Sequence, residues 1–235
     1  MEPLGIITGP AFFRRMEVFA PLEEKIAENE FGRATVFLSG SVVFVPRHGK
    51  DPRHYILPHL INHRANMKAL KDLGVRETIG INSTGSLKRG LKPGALVVPH
   101  DFISLSGTPT VFIGKSVHIT PAMNEALRQR LIDAALDTGL DVFKEGIYWQ
   151  TKGPRLETKA EIMMMSQFAD LVGMTMASEA VTAGELEISY ASLCSVDNYA
   201  HGLGEGELTM EEISQHAAGN VEAMIRIIKN YKGRG

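Results

Sequence analysis

The sequence predicts a single α/β domain over residues 1–235, built on a mostly parallel, mixed central sheet with helices on both faces. Three observations lead there. Runs rich in β-branched residues alternate with segments of helical periodicity. Several of the strand-like runs are apolar throughout, as strands covered on both faces are. Polar clusters directly follow three of these runs, and in open parallel sheets the carboxyl ends of the strands meet at a crevice where ligands bind. No repeat, low-complexity tract or linker divides the chain, and 235 residues suit one substantial domain better than two.

The elements follow in order. Residues 4–8, 35–38 and 41–45 read as strands, with Gly40 bending the chain between the last two. Residues 60–73 carry apolar side chains at helical spacing, and Gly74 is a natural C-terminal stop. Strands are expected at 78–81 and 95–98. Pro121 then opens a helix with Met123, Leu127, Leu131 and Ala134 on one face. Runs 147–151, 171–174 and 188–196 read as buried strands, with a helix after the second whose first turn holds Ser178 and Glu179. The last helix begins at Thr209, with Glu212 completing a capping box. Its stripe of Met210, Ile213, Ala217, Val221, Met224 and Ile228 packs on the sheet.

Composition narrows the function classes. A net charge of -2 argues against a nucleic-acid partner, which needs a basic surface. Cys194 is the single cysteine, so neither an intrachain disulfide nor a cysteine zinc site is expected; in its apolar run it reads as a buried, inert thiol. The chain opens with too few apolar residues for a signal peptide, and no run is long enough to span a bilayer. A cytoplasmic protein without a membrane partner is the expectation. His54, His59 and His63 match no zinc spacing. His59 and His63 would share a helix face but have no glutamate placed as in metalloproteases, so no metal is expected.

The chemistry lies at the strand ends. Arg47 and His48 follow the strand at 41–45; they read either as a fork of donors for a phosphate or as a solvated basic turn. Asn82, Ser83 and Thr84 end another strand, beside Gly85, and suit an oxyanion, though a plain turn has the same composition. After 147–151 come Arg155, Leu156 and Glu157. Glu157 is either an acceptor for a ring N–H or a carboxylate favoured in a helix's first turn. Met174 can lie against a sugar and Thr175 can donate to a phosphate. Asp197 and Asn198 end the last strand, and an amide can grip N7 and O6 of a purine together. Brought to one place, these groups suit a polar heterocycle joined to a sugar.

Taken in sequence, several motifs make the chain resemble the trimeric purine nucleoside phosphorylase and methylthioadenosine phosphorylase family over nearly its whole length. They are the Arg47-His48-Gly49 turn, H-x-x-N-x-x-A-N-x-x-A-L from His59 to Leu70, Gly85-Ser86-Leu87 with Pro93-Gly94, GPRLET at 153–158, Val172-Gly173-Met174-Thr175 with Glu179, and Asp197-Asn198. The resemblance implies a nucleoside phosphorylase-like domain that cleaves purine nucleosides with inorganic phosphate as co-substrate and no cofactor. By position, Arg47, His48, Asn82, Ser83 and Thr175 would hold phosphate, Met174 would contact the ribose, and Leu156 would face the base. Asn198 would stabilise the departing purine, with His48 the other catalytic candidate. Glu157 with Asn198 resembles the 6-oxopurine branch, which covers inosine, guanosine and 5′-methylthioinosine; a one-residue shift that presented Asp197 instead would favour aminopurines and a methylthioadenosine phosphorylase. Leu208 and Met210 lean toward an apolar pocket at the sugar's 5′ end. His118 matches a family histidine that reaches into a neighbouring subunit, which implies a homotrimer or a dimer of trimers. One departure stands out. Pro10 occupies the place of the usual phosphate-loop hydroxyl, and Thr8 is the candidate substitute, so a nucleoside-binding relative with weak turnover is another reading; a hydrolytic nucleosidase is a third, ranked below it because no carboxylate is clearly placed to activate water.

Overall fold

The apolar runs become strands whose neighbouring side chains point to opposite faces. The computed structural model describes residues 2–105, 107–204 and 210–232. In β1 (Leu4–Thr8), Ile6 belongs to one core and Ile7 to the other. In β4 (Val42–Pro46), Val42 and Phe44 join Ile6, while Val43 and Val45 join Ile7. The first core is closed by α1 (Pro10–Phe13), α3 (Glu125–Asp137) and α6 (Met210–Lys232), through Phe12, Leu127, Leu131, Val221 and Ile228. The second is closed by α2 (His63–Asp72) and α5 (Met176–Glu185), through Met67, Leu70, Met176 and Ala180. Burial on both faces is why these strands read as continuous apolar runs. A third cluster forms where α4 (Lys159–Met165) brings Ile162 and Met165 against Trp149 and Val172.

The sheet has ten strands. Its main path runs β2 (Glu23–Asn29), β3 (Gly32–Ser39), β4, β1, β5 (Glu77–Ser86), β9 (Leu171–Gly173), β8 (Ile147–Gln150) and β7 (Asp101–Ser104). β10 (Ser189–Tyr199) pairs with β5 and with β6 (Leu96–Val97). The pairs β1–β4, β1–β5, β5–β10, β7–β8 and β8–β9 are parallel; the rest are antiparallel.

β5 is the strand that makes the site. On one edge β10 follows it from Glu77 to Ser86. On the other edge β1 pairs only from Glu77 to Gly80, and β9 takes over only at Gly85 and Ser86. Residues 81–84 are left without a strand partner on that side.

Several expectations need correction. β2 is an edge strand carrying Glu23, Glu24, Lys25 and Glu28; such charges blunt an edge against further pairing but hide the strand from a hydrophobicity pattern. β7, also at an edge, is too short to stand out. The helix expected from residue 60 starts at His63, because Asn62 accepts from the Ala65 N–H and caps it. Pro58–Leu60 forms a separate 3-10 turn, so His59 and His63 share no helix face. The helix expected from Pro121 starts at Glu125 behind the Asn124 cap, and Met123, outside it, packs into the opposite core from Leu127. Gly40 (φ 56°) and Gly74 (φ 81°) take the left-handed conformations their turns require. The capping pair Thr209–Glu212 lies outside the described residues. No helix among the described residues is long and apolar enough to cross a membrane.

Candidate active site

A cavity of about 350 Å³ opens along the unpaired edge of β5. Ile81, Asn82, Ser83 and Thr84 form its floor, and Ser83 is the only exposed residue in an otherwise buried stretch of β5. The ends of neighbouring elements complete the wall: Arg47 and His48 after β4, Leu156 and Glu157 beyond β8, Met174 and Thr175 after β9, and Asp197 and Asn198 on β10. Three of the described side chains that the sequence named at or near the site are not among these. Thr8 is fully buried at the end of β1, its hydroxyl without a partner among the described residues, and does not line the cavity. His118 is exposed on the segment between β7 and α3, away from the cavity of its own chain. Leu208 and the side chain of Met210 lie outside the described residues. Arg155, two residues before Glu157, turns to solvent and pairs with Glu161 at 2.7 Å.

Arg47 is fixed from several directions. Its Nε lies 2.6 Å from Glu179 Oε1, both side chains being almost wholly buried. Its terminal nitrogens donate to the carbonyls of Ile81 (2.8 Å) and Ile7 (3.0 Å). One of the carbonyls it takes is on the open edge of β5. Glu179 also accepts from the Tyr190 hydroxyl at 2.7 Å, which helps to hold the carboxylate against the cost of burial. Beside this pair, Ser192 donates to Asn82 Oδ1 (2.7 Å) and Asn82 donates to Thr175 Oγ1 (2.9 Å). Because Thr175 is the acceptor in this bond, its hydroxyl keeps its own proton for a ligand. Gly80 makes room for the network: a Cβ there would sit 2.0 Å from the Tyr190 hydroxyl and 2.8 Å from Glu179 Oε2.

His48 stacks flat on Tyr55, with ring centroids 4.6 Å apart, and its Nδ1 lies 2.7 Å from the Ile56 carbonyl. A carbonyl can only accept, so Nδ1 carries the proton and Nε2 of the neutral ring is an acceptor. Burial, reinforced by the Arg47 charge, lowers its pKa to about 4. His63 is buried nearby, and the same two causes, with His48 added, bring it down to about 3. Both imidazoles are neutral at pH 7.

On the other wall, the Thr151 hydroxyl donates to Glu157 Oε1 at 2.6 Å and leaves Oε2 as an acceptor. Glu157 is therefore held by the end of β8 rather than by a helix start: α4 begins two residues later, capped by Thr158 and Glu161 in a capping box. A β-bulge decides the order of Asp197 and Asn198. Val196 pairs with Thr84 and Asn198 with Gly85, so Asp197 is the extra residue. Asn198 Nδ2 donates to the Tyr199 carbonyl at 2.8 Å and has a second N–H to give. Gly85 leaves it space, since a Cβ there would lie 3.1 Å from Nδ2. Asp197 is wholly buried; Asn220 donates to its Oδ1 at 2.9 Å, and Oδ2 has no partner among the described residues. Burial raises its pKa, opposed by the Ser83, Asn220 and Ser195 side chains around it. Gly153 (φ 65°) gives way to Met174, whose sulfur would lie 2.5 Å from a Cβ at that position.

The sequence did not single out Arg14, Tyr55, Ala217 or Ile213 for the cavity, yet all four line it. Ile213 and Ala217 lie on the stripe that begins at Met210, one to two turns further along α6, and that spacing was the available signal. Cys194 is buried as expected, with its thiol pushed up to about 12 by burial.

The sequence profile of the phosphorylase superfamily matches residues 3–232. The chain belongs to that family. Within the superfamily, the chain is 40% identical to a probable 6-oxopurine nucleoside phosphorylase of Archaeoglobus fulgidus, over 96% of this chain and 94% of that one. It is 38% identical to a probable S-methyl-5′-thioinosine phosphorylase of Methanocaldococcus jannaschii, over 99% and 92%. Among solved superfamily structures it resembles a methylthioadenosine phosphorylase from Schistosoma mansoni in complex with adenine. That match has a TM-score of 0.87 and 27% identity, and covers 98% of this chain and 91% of that one.

Proposed function

We propose that the protein is a pentosyltransferase that cleaves purine nucleosides by phosphorolysis, with 6-oxopurine nucleosides preferred. The observation that carries this is one cavity in which Arg47, His48, Asn82, Ser83 and Thr175 meet Glu157 and Asn198, with Met174 on the same wall. A phosphate oxygen forms a bond to C1′ as the C1′–N9 bond breaks, and the bonding pair leaves with the purine. The products are free base and a (5-methylthio)ribose 1-phosphate. Catalysis of this kind rests on positioning and on charge stabilisation in a water-poor site. Thr175 and Ser83 donate to the phosphate, while the neutral His48 accepts the proton of a phosphate O–H. Asn198 gives its spare N–H to N7 as negative charge gathers on the ring. Inorganic phosphate is the co-substrate, and no cofactor takes part.

The base preference follows from Glu157. Its free oxygen needs a donor, which N1–H of hypoxanthine or guanine supplies and neutral adenine lacks; a buried acceptor left unpaired costs about 1–3 kcal/mol. The similarity to the two archaeal enzymes supports the same choice. Ile213, Ala217, Leu57 and Pro58 give the cavity an apolar stretch that suits a 5′-methylthio group, so 5′-methylthioinosine stands with inosine and guanosine as a substrate. A methylthioadenosine phosphorylase is the second reading, favoured by Asp197, which lines the same cavity and whose carboxylate would accept from a 6-amino group. A homotrimer or a dimer of trimers, working in the cytoplasm, completes the proposal.

Incubation with inosine, 5′-methylthioinosine and 5′-methylthioadenosine, with and without phosphate, tests it. Base release that depends on phosphate and favours the first two is expected. Preference for the aminopurine moves the base assignment to Asp197, and equal release without phosphate replaces phosphorolysis by hydrolysis.

A further inference from the structure

Resting on the phosphorolysis reading, we propose that Arg14 is a second phosphate-binding cation, which takes over the role lost where Pro10 replaces a hydroxyl. Pro10 has no hydroxyl and no N–H to offer. It lines the cavity, and so does Arg14, four residues on. Arg14 keeps helical dihedrals (φ -62°, ψ -14°) at the end of α1, and its N–H donates to the Pro10 carbonyl at 3.1 Å. Residues four apart share a helix face, and long helical side chains lean back toward the N-terminus. The Arg14 side chain therefore extends toward Pro10.

Charge supports the same assignment. Arg14 and Arg47 are the only Lys or Arg residues among the described residues that line the cavity. The charge of Arg47 is met by Glu179 at 2.6 Å, and His48 is neutral at pH 7. The other charged side chains among the described lining residues, Glu157 and Asp197, are carboxyls. Without Arg14 the site offers no net positive charge to a phosphate dianion. Arg14 is exposed, and its guanidinium has no hydrogen bond or ion pair among the described residues. The adjacent Arg15, by contrast, pairs with Glu17 and with Glu222 of α6.

Steady-state kinetics on the full chain test this with Arg14→Gln and Arg14→Lys, phosphate and inosine (or the preferred nucleoside) being varied separately. Arg14→Gln is expected to raise the phosphate KM about tenfold, the scale of one charge-assisted contact, and to leave the nucleoside KM at saturating phosphate within about twofold. Arg14→Lys is expected to recover part of the loss. A phosphate KM within about twofold of wild type, a parallel rise of both KM values, or no recovery with lysine overturns the assignment. If the wild type itself releases no base with phosphate, the phosphorolysis reading fails separately. Calorimetric titration with inorganic phosphate then decides the role of Arg14: weaker binding to Arg14→Gln upholds it, and equal binding overturns it.

Discussion

Glu179, Tyr190, Ser192 and Asn82 show that the cavity wall proposed to hold phosphate is organised by buried side chains bonded to one another and to Arg47 and Thr175. The role proposed for Asn198 is more specific, and Asn198→Asp replaces its N–H donor by a carboxylate. This variant should shift the ratio of kcat/KM values toward 6-aminopurine nucleosides by tenfold or so, about 1.4 kcal/mol; a ratio that does not move would take Asn198 out of the base site. The two buried histidines make a prediction about pH. Their folded pKa values, about 4 for His48 and about 3 for His63, lie below the roughly 6.5 expected of an unfolded chain. Between those limits the unfolded state binds protons that the folded state refuses, so stability is full above pH ~6.5 and declines as acid is added. Each histidine contributes on the order of 3 kcal/mol to that decline. Calorimetric melting from pH 7 to 4.5 should show it, with a shallower slope in His63→Phe; an identical slope would remove His63 as a cause.

Among the elements, β5 places the most demands on its sequence. Gly80 lies where β1 stops pairing and where Tyr190, Asn82 and Glu179 converge. Gly80→Ala has no space for its methyl group and should cost roughly 2 kcal/mol or more, read as a lower urea midpoint, together with weaker phosphate saturation. Wild-type stability would mean that the network tolerates displacement. Much of this region was legible in the sequence. Arg47, His48, Asn82, Ser83 and Asn198 each stand just after or at the end of an apolar run, with Glu157 six residues beyond one, and that local signal survives without coordinates. The bulge at Asp197 was not legible, because apolar periodicity cannot tell where a strand takes one extra residue. Arg14 and Tyr55 reach the cavity only through packing of α1 and of the turns after β4, which leaves no local pattern. The helix starts at 63 and 125 were misplaced because asparagine caps override the proline and apolar cues on which the reading relied.

For the molecule as a whole, the segment around His118 exposes apolar side chains that the proposed assembly would cover. Leu105, Ile113, Val117 and Ile119 are all exposed there, although α/β domains normally cover such residues. Burying them between copies accords with the proposed trimer and would put His118 beside a neighbour's sugar. Light scattering should give three or six chain masses, and His118→Ala should raise the nucleoside KM with the mass unchanged; a monomer that retains full activity would dismiss this arrangement. The gap beside β5 carries one more consequence. At residues 81–84 the ladder has an unfinished side, so in the free protein those amides that point away from β10 have no strand to shield them. Deuterium should enter there quickly when the protein is alone and slowly once phosphate and base are bound, although no strand has formed. The substrate would act as the missing rung, and its arrival could be followed from the backbone without waiting for a turnover.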